Sequence, residues 1–247
     1  MSDVPKLTAL LRKDARGVYR DRFLLWLCVY PLVLAALLRA VAPWIPIDGM
    51  RLYLAPAALM LAPNLLGIVL GFALIEEREQ KTWLLLRVLP LRERTLFGYL
   101  ATTATLLSLL LSLACAWIYG LPVADLAGFL GVAAANALTA PLLMLMLGAA
   151  AANKIEGLAL GKIISTSSAV PLLCFVLAPP WQVALVWSPF YWIYLGLLRA
   201  YAGEAQLAAL PLPHWPAWPG WSYALVPAAL CVAGVVTFAR IYRRRAA

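Results

Sequence analysis

Residues 52–75 read Leu-Tyr-Leu-Ala-Pro-Ala-Ala-Leu-Met-Leu-Ala-Pro-Asn-Leu-Leu-Gly-Ile-Val-Leu-Gly-Phe-Ala-Leu-Ile, a run without Asp, Glu, Lys or Arg. As a helix it rises about 36 Å, more than the roughly 30 Å of a bilayer's hydrocarbon core. The rest of the chain has the same character. Of its 247 residues 64% are apolar and 13% charged, and the mean hydropathy is +0.87. A soluble domain is about 45–50% apolar and about 25% charged, because it must cover its surface with polar groups. The composition therefore predicts an all-α membrane protein and speaks against soluble enzymes and nucleic-acid binders. The net charge of +9 fits the excess of Lys and Arg that membrane proteins keep on their cytoplasmic side.

Working outward from residues 52–75, five further runs suit spans: roughly 23-42, 96-119, 126-152, 158-178 and 221-239. Six spans with the N-terminus inside place every Lys and Arg except Arg39, Arg51 and Arg199 in cytoplasmic segments. A seventh span through the aromatic stretch near Trp187 and Tyr191 would export Arg240, Arg243, Arg244 and Arg245, against the positive-inside bias. Residues 180-220 are accordingly expected as an external, re-entrant region. Prolines such as Pro179, Pro180, Pro211 and Pro213 would break it into short pieces. Residues 1-22 carry six basic side chains, with Val4, Leu7, Leu10, Leu11 and Val18 at helical spacing, which predicts an amphipathic helix lying on the membrane surface. A cleaved signal peptide fits less well, since the run from Phe23 to Ala42 exceeds an h-region of about 7–15 residues. With no internal repeat or linker, 1-247 reads as a single transmembrane domain.

Catalytic chemistries have few residues to use. Cys28, Cys115, Cys174 and Cys231 lie apart within apolar runs, and His214 is the one histidine, so zinc motifs and His-based triads have no basis. No catalytic or metal residue is assigned. Gly157-Leu-Ala-Leu-Gly161-Lys162-Ile163 imitates a phosphate loop but has one residue too few between its glycines and no hydroxyl after the lysine. Any nucleotide energy must then come from a second polypeptide. The spans hold no charged residue at mid-membrane of the kind that ion-coupled carriers keep there. Their neutral polar groups include Asn64, Thr102, Asn136 and Ser165, which become candidates for a transport path, with Tyr191 and Trp192 near its outer end.

The loop 76-95 is more specific. Glu76-Glu77-Arg78-Glu79 and Arg87, Arg92 and Arg94 flank the apolar stretch from Trp83 to Val88. A plain solvated turn has no use for that apolar stretch, so a short helix that docks on a partner or on the membrane surface is expected.

Gly71, Glu76-Glu77-Arg78-Glu79, Thr82, an apolar helix and Pro90-Leu91, directly after the second of six spans, resemble the ABC-2 type transporter permeases. Ala152-Asn153-Lys154-Ile155-Glu156-Gly157, Ala159, Lys162, Pro189 and Tyr191-Trp192 are similar to the subgroup of fluoroquinolone-export permeases. The order of elements is alike over essentially the whole chain, although Lys81 stands where such permeases more often have Gly. The resemblance implies a permease subunit without its own nucleotide site in the bacterial inner membrane, multi-pass and with both termini cytoplasmic. It also implies a separate ABC ATPase that binds ATP and Mg, and a second permease copy; a path lined by Ser, Thr, Asn and aromatics without charges suits an amphipathic or lipid-like cargo better than ions. Coupling to the ATPase would fall to Glu76, Glu77, Arg78, Glu79, Thr82, Trp83, Leu84, Leu86, Arg87, Pro90 and Arg92. Two other classes remain open on the residues. One is a non-catalytic membrane assembly or immunity factor. The other is an intramembrane enzyme, since Glu76-Glu77 with Lys81 is similar to a Glu-Glu-x-x-x-Arg protease motif that lacks its histidines here.

Overall fold

A computed structural model describes residues 22–45, 49–80, 93–169, 171, 185–208 and 222–246. The expected surface helix before residue 22 lies outside them. All regular structure among the described residues is helical: α1 (Arg22–Val41), a 3-10 turn (Ala42–Trp44), α2 (Met50–Glu79), α3 (Glu93–Tyr119), α4 (Leu126–Ala137), α5 (Thr139–Ala150), α6 (Lys154–Ala169), α7 (Pro189–Ala208) and α8 (Ser222–Ala246). Among the described residues, four stretches are long and apolar enough to cross a membrane, namely Met50–Glu79, Phe97–Tyr119, Leu126–Ala150 and Tyr223–Arg244. The two other expected spans fall short of that among the described residues. In α1 the apolar part is Cys28–Trp44, and α6 has 16 residues.

The centre of the bundle is α2, which packs against α1, α3, α5, α6 and α7. Its closest seam is with α5, because Gly67 and Gly71 stand one turn apart on the contacting face. A Cβ on Gly67 would lie 2.7 Å from both the Ala140 carbonyl oxygen and Leu143 Cβ, and one on Gly71 would lie 2.9 Å from Leu147 Cβ. Apolar burial drives no helix association inside lipid, so close backbone approach at small residues supplies the attraction. The stretch that imitates a phosphate loop serves the same purpose. Gly157 lies against Ile75 and Phe72, and Gly161 against Ile68 and Phe72, so this pair of glycines seats α6 on α2.

Prolines shape the spans through the carbonyls they release. Pro63 has no N–H for the Leu59 carbonyl one turn earlier. Two side chains from two other helices take that oxygen, with Ser112 Oγ and Asn136 Nδ2 each donating to it over 3.2 Å. Asn136 and Ser112 are fully buried. The run 126-150 bends at Leu138 for a related reason. Pro141 cannot serve the Ala137 carbonyl, and at the adjoining position Thr139 Oγ1 donates to the Asn136 carbonyl at 2.7 Å.

This sharing at Leu59 makes a test. Ser112→Ala and Asn136→Ala are each expected to cost about 1 kcal/mol or less of stability, because the remaining donor still covers the carbonyl. The double variant should lose more than the two singles together, by about 1–2 kcal/mol, as the oxygen is stranded in an apolar core. Unfolding of the purified chain in mixed detergent micelles measures this. Simple additivity would remove the shared role.

Between the flanking prolines, the aromatic stretch forms one continuous 20-residue helix, α7, with Pro189 at its first position. A whole face of it is covered, and the prolines expected to break the region, such as Pro179, Pro180, Pro211 and Pro213, lie outside the described residues. Tyr191, Ile193, Leu197 and Leu198 are fully buried. Its contacts gather at one end of the bundle: Tyr194 Oη donates to the Tyr53 carbonyl at 2.8 Å, the amides of Ala124 and Asp125 both donate to the Ala200 carbonyl, and Phe129 meets Tyr201 edge-on. At this same end Arg39 Nη1 donates to the Ile118 carbonyl at 2.7 Å, beside Gly120, whose φ of +71° turns the chain after α3.

Candidate functional site

The opposite end of the bundle holds the charged turn. The helix α2 runs past the apolar residues to Glu79, and its last turn is held by polar contacts on all sides. Arg78 Nη2 donates to the Gly148 carbonyl at 2.9 Å and to the Ala151 carbonyl. These oxygens belong to the end of α5, where carbonyls lack helical partners and the helix dipole is negative, so a guanidinium both satisfies and neutralises them. The Arg78 Cζ also lies 5.5 Å from the ring centroid of Tyr242 in α8. Phe97 of α3 meets the same ring edge-on at 5.6 Å, and Tyr242 Oη donates to the Leu74 carbonyl over 3.4 Å. The ends of four helices thus meet around one guanidinium.

The glutamates extend this junction to α6. Glu79 Oε1 accepts from the Lys154 amide at 2.9 Å, and Glu76 Oε1 pairs with Lys154 Nζ at 3.1 Å while accepting from Gln80 Nε2. Both partners of the ion pair are about half exposed, so it fixes register more than it adds stability. Asn153 Oδ1 accepts from the Glu156 amide, and Glu156 Oε2 from the Ala152 amide, a reciprocal cap that starts α6. The two segments behind the family resemblance, around Glu76–Glu79 and around Ala152–Gly157, are therefore in direct contact. Glu77 sits half-buried on the same turn. Thr82, Trp83, Leu84, Leu86, Arg87, Pro90 and Arg92 lie outside the described residues, in the segment that joins this junction to α3.

The candidate path residues are distributed over five helices. Asn64 is buried in α2 and Asn136 in α4, the latter bonded to the Leu59 carbonyl. Thr102 is exposed on α3 with its hydroxyl on the Gly98 carbonyl, and Ser165 is exposed on α6 with its hydroxyl on the Gly161 carbonyl. Tyr191 is buried in α7, and Trp192 beside it donates from its indole to the Val186 carbonyl at 2.8 Å. Residues that sequence reasoning passed over are Tyr242, Gly67 and Gly148, and Gly157 was read without its packing role. A four-residue glycine spacing was the available signal for two of the seams, and a lone Tyr between Arg240 and Arg243 was the signal for the junction.

The family described as "Fluoroquinolones export permease protein Rv2686c-like" matches residues 14–233. The chain belongs to this permease family. It is 26% identical over 201 residues to the Fluoroquinolones export permease protein Rv2686c of Mycobacterium tuberculosis strain ATCC 25618 / H37Rv. It is equally similar to the permease protein MT2760 of strain CDC 1551 / Oshkosh. Each match covers 75% of this chain and 79% of the relative. This permease is accordingly a membrane protein of an export family, and the matched stretch contains Arg78 and its carbonyl partners but ends before Tyr242.

Proposed function

We propose that the chain is the permease half of an ATP-driven exporter. A separate ABC ATPase, which binds ATP and Mg, would dock on residues 81–92, and a second permease copy would complete the path. The carrying observation is the Arg78 junction. A push on the segment that follows Gln80 reaches α2, α5, α6 and α8 at once, because Arg78, Glu76 and Glu79 bond them together. Closure of the ATPases would tilt these helices and open the path at the far end, where α7 would sit as a re-entrant helix in the outer leaflet. Both termini then face the cytoplasm of a bacterial cell, across its inner membrane. The cargo class is amphipathic, in keeping with the fluoroquinolones named for the relatives.

Contacts that carry force concentrate their energy in a few apolar or aromatic anchors, and Trp83, Leu84 and Leu86 are the anchors here. Trp83→Ala is expected to lower copurification of the ATPase severalfold, or to leave ATP hydrolysis without efflux, while membrane insertion is unchanged. Glu76 and Arg78 act within the chain, so Trp83→Ala should leave thermal stability untouched. Wild-type copurification and efflux, retained when Leu84 and Leu86 are also replaced, would end the coupling role.

A further inference from the structure

The face of α6 that points away from the bundle carries a cation. Gly157, Gly161 and Ile164 are the buried side of this helix, and Lys162, Ser165 and Thr166 are exposed. Lys162 stands two turns beyond Lys154, which marks the charged end of the junction through its bond to Glu76. That displacement is about 12 Å along the helix, and the four-carbon stem of a lysine falls short of it. The register against α2 gives the same depth: Gly161, its neighbour, lies on Ile68 and Phe72, within the charge-free run 52–75, so Lys162 sits alongside that run and not in the cytoplasmic segment to which the charge count assigned it. Ser165 and Thr166 continue the polar stripe inward, their hydroxyls donating to the Gly161 and Lys162 carbonyls.

Elsewhere the outward faces carry no charge in their middle turns, with Val29, Val33 and Leu37 on α1, Leu106 and Leu110 on α3, and Val232 and Val236 on α8. Those faces suit lipid. A lysine at depth does not, and intramembrane charges ordinarily face water-filled cavities and mark substrate routes. We infer that the exposed stripe of α6 lines an aqueous path and that Lys162, with Ser165 and Thr166 beside it, binds the carboxylate of an amphipathic anion. The flanking Leu158 and Ile163, both well exposed, supply apolar surface for the remainder of such a molecule. The inference rests on the export reading above and adds to it a charge preference and a residue that sets it.

The test uses the full chain with its ATPase in inverted membrane vesicles, with a fluoroquinolone carboxylic acid and its methyl ester as probes. Lys162→Gln is expected to raise KM for the acid about tenfold with kcat little changed, in line with loss of a charge-assisted contact. Transport of the ester should not move, and Lys162→Arg should restore the acid. Equal losses for acid and ester would assign Lys162 a structural role and overturn the subsite, as would no loss for either. A second measurement is independent of transport. In Lys162→Cys, a charged methanethiosulfonate reagent should label position 162, and absence of labelling would put this face in lipid and overturn the path. A wild-type complex that moves neither probe would defeat the export reading itself, a result distinct from any change confined to the variants.

Discussion

Arg78→Ala is expected to separate transport from folding at a single side chain. The guanidinium serves two carbonyls at the end of α5 and the face of Tyr242. Bonds from a charged donor contribute about 1.5–3 kcal/mol each when buried, and Arg78 is only half-buried, so a loss of about 2–4 kcal/mol is expected. Helical circular dichroism on heating in detergent would show earlier melting. Efflux should fall at least tenfold even at temperatures where the variant is folded, because α5 and α8 no longer follow α2. Arg78→Lys retains the charge but cannot fork to both carbonyls and cover the ring, so it should fall between. Tyr242→Phe keeps the ring under the guanidinium and removes one long bond to Leu74, and its effect should be slight. Melting and efflux of Arg78→Ala at wild-type values would show that the junction carries no load.

The second large effect is expected at the seam of α2 and α5. Gly67→Val should prevent assembly of the bundle, since even its first carbon would sit 2.7 Å from a backbone oxygen that cannot swing aside. Gly67→Ala poses the same conflict with less bulk and should cost about 1–3 kcal/mol, the usual range for overpacking. Gly98→Ala in α3 is the opposite: a Cβ there meets nothing within 4 Å, and helix propensity favours Ala by about 1 kcal/mol. Yield of monodisperse protein by size exclusion, with melting temperature, compares the three. Equal behaviour of Gly67→Ala and Gly98→Ala would refute the close-packed seam.

What could be read in the sequence was whatever local composition decides. Residues 52–75 declare a span without reference to anything else, and α2 does cover them. Its extension to Glu79 was not legible. The apolar run stops at Ile75, and only the carbonyls at 148 and 151 and the amide of Lys154 give Arg78 and Glu79 a reason to remain helical. The aromatic stretch of α7 looked like an interface belt. Tyr194 and Tyr201 instead face α2 and α4, and a covered face keeps 20 residues in one helix. Asn136 drew attention as a costly amide in an apolar run. Its partner is a carbonyl on another helix, freed by Pro63, and no pattern near Asn136 points there. The glycine pairs were visible as spacing, but which helix each pair would meet was not.

The shared oxygen at Leu59 also bears on how such a chain can drift over generations. Pro63, Ser112 and Asn136 sit on three helices, yet their fitness is mutually conditional. While the proline stands, the lineage must keep a donor opposite it. A residue with an N–H at 63 would satisfy Leu59 from within its own helix, and the amide of Asn136 would then compete for that oxygen and lean on its longer, 3.4 Å contact with Ser112 Oγ. Substitutions here are permitted or forbidden by their order, and three distant sites are inherited as one character.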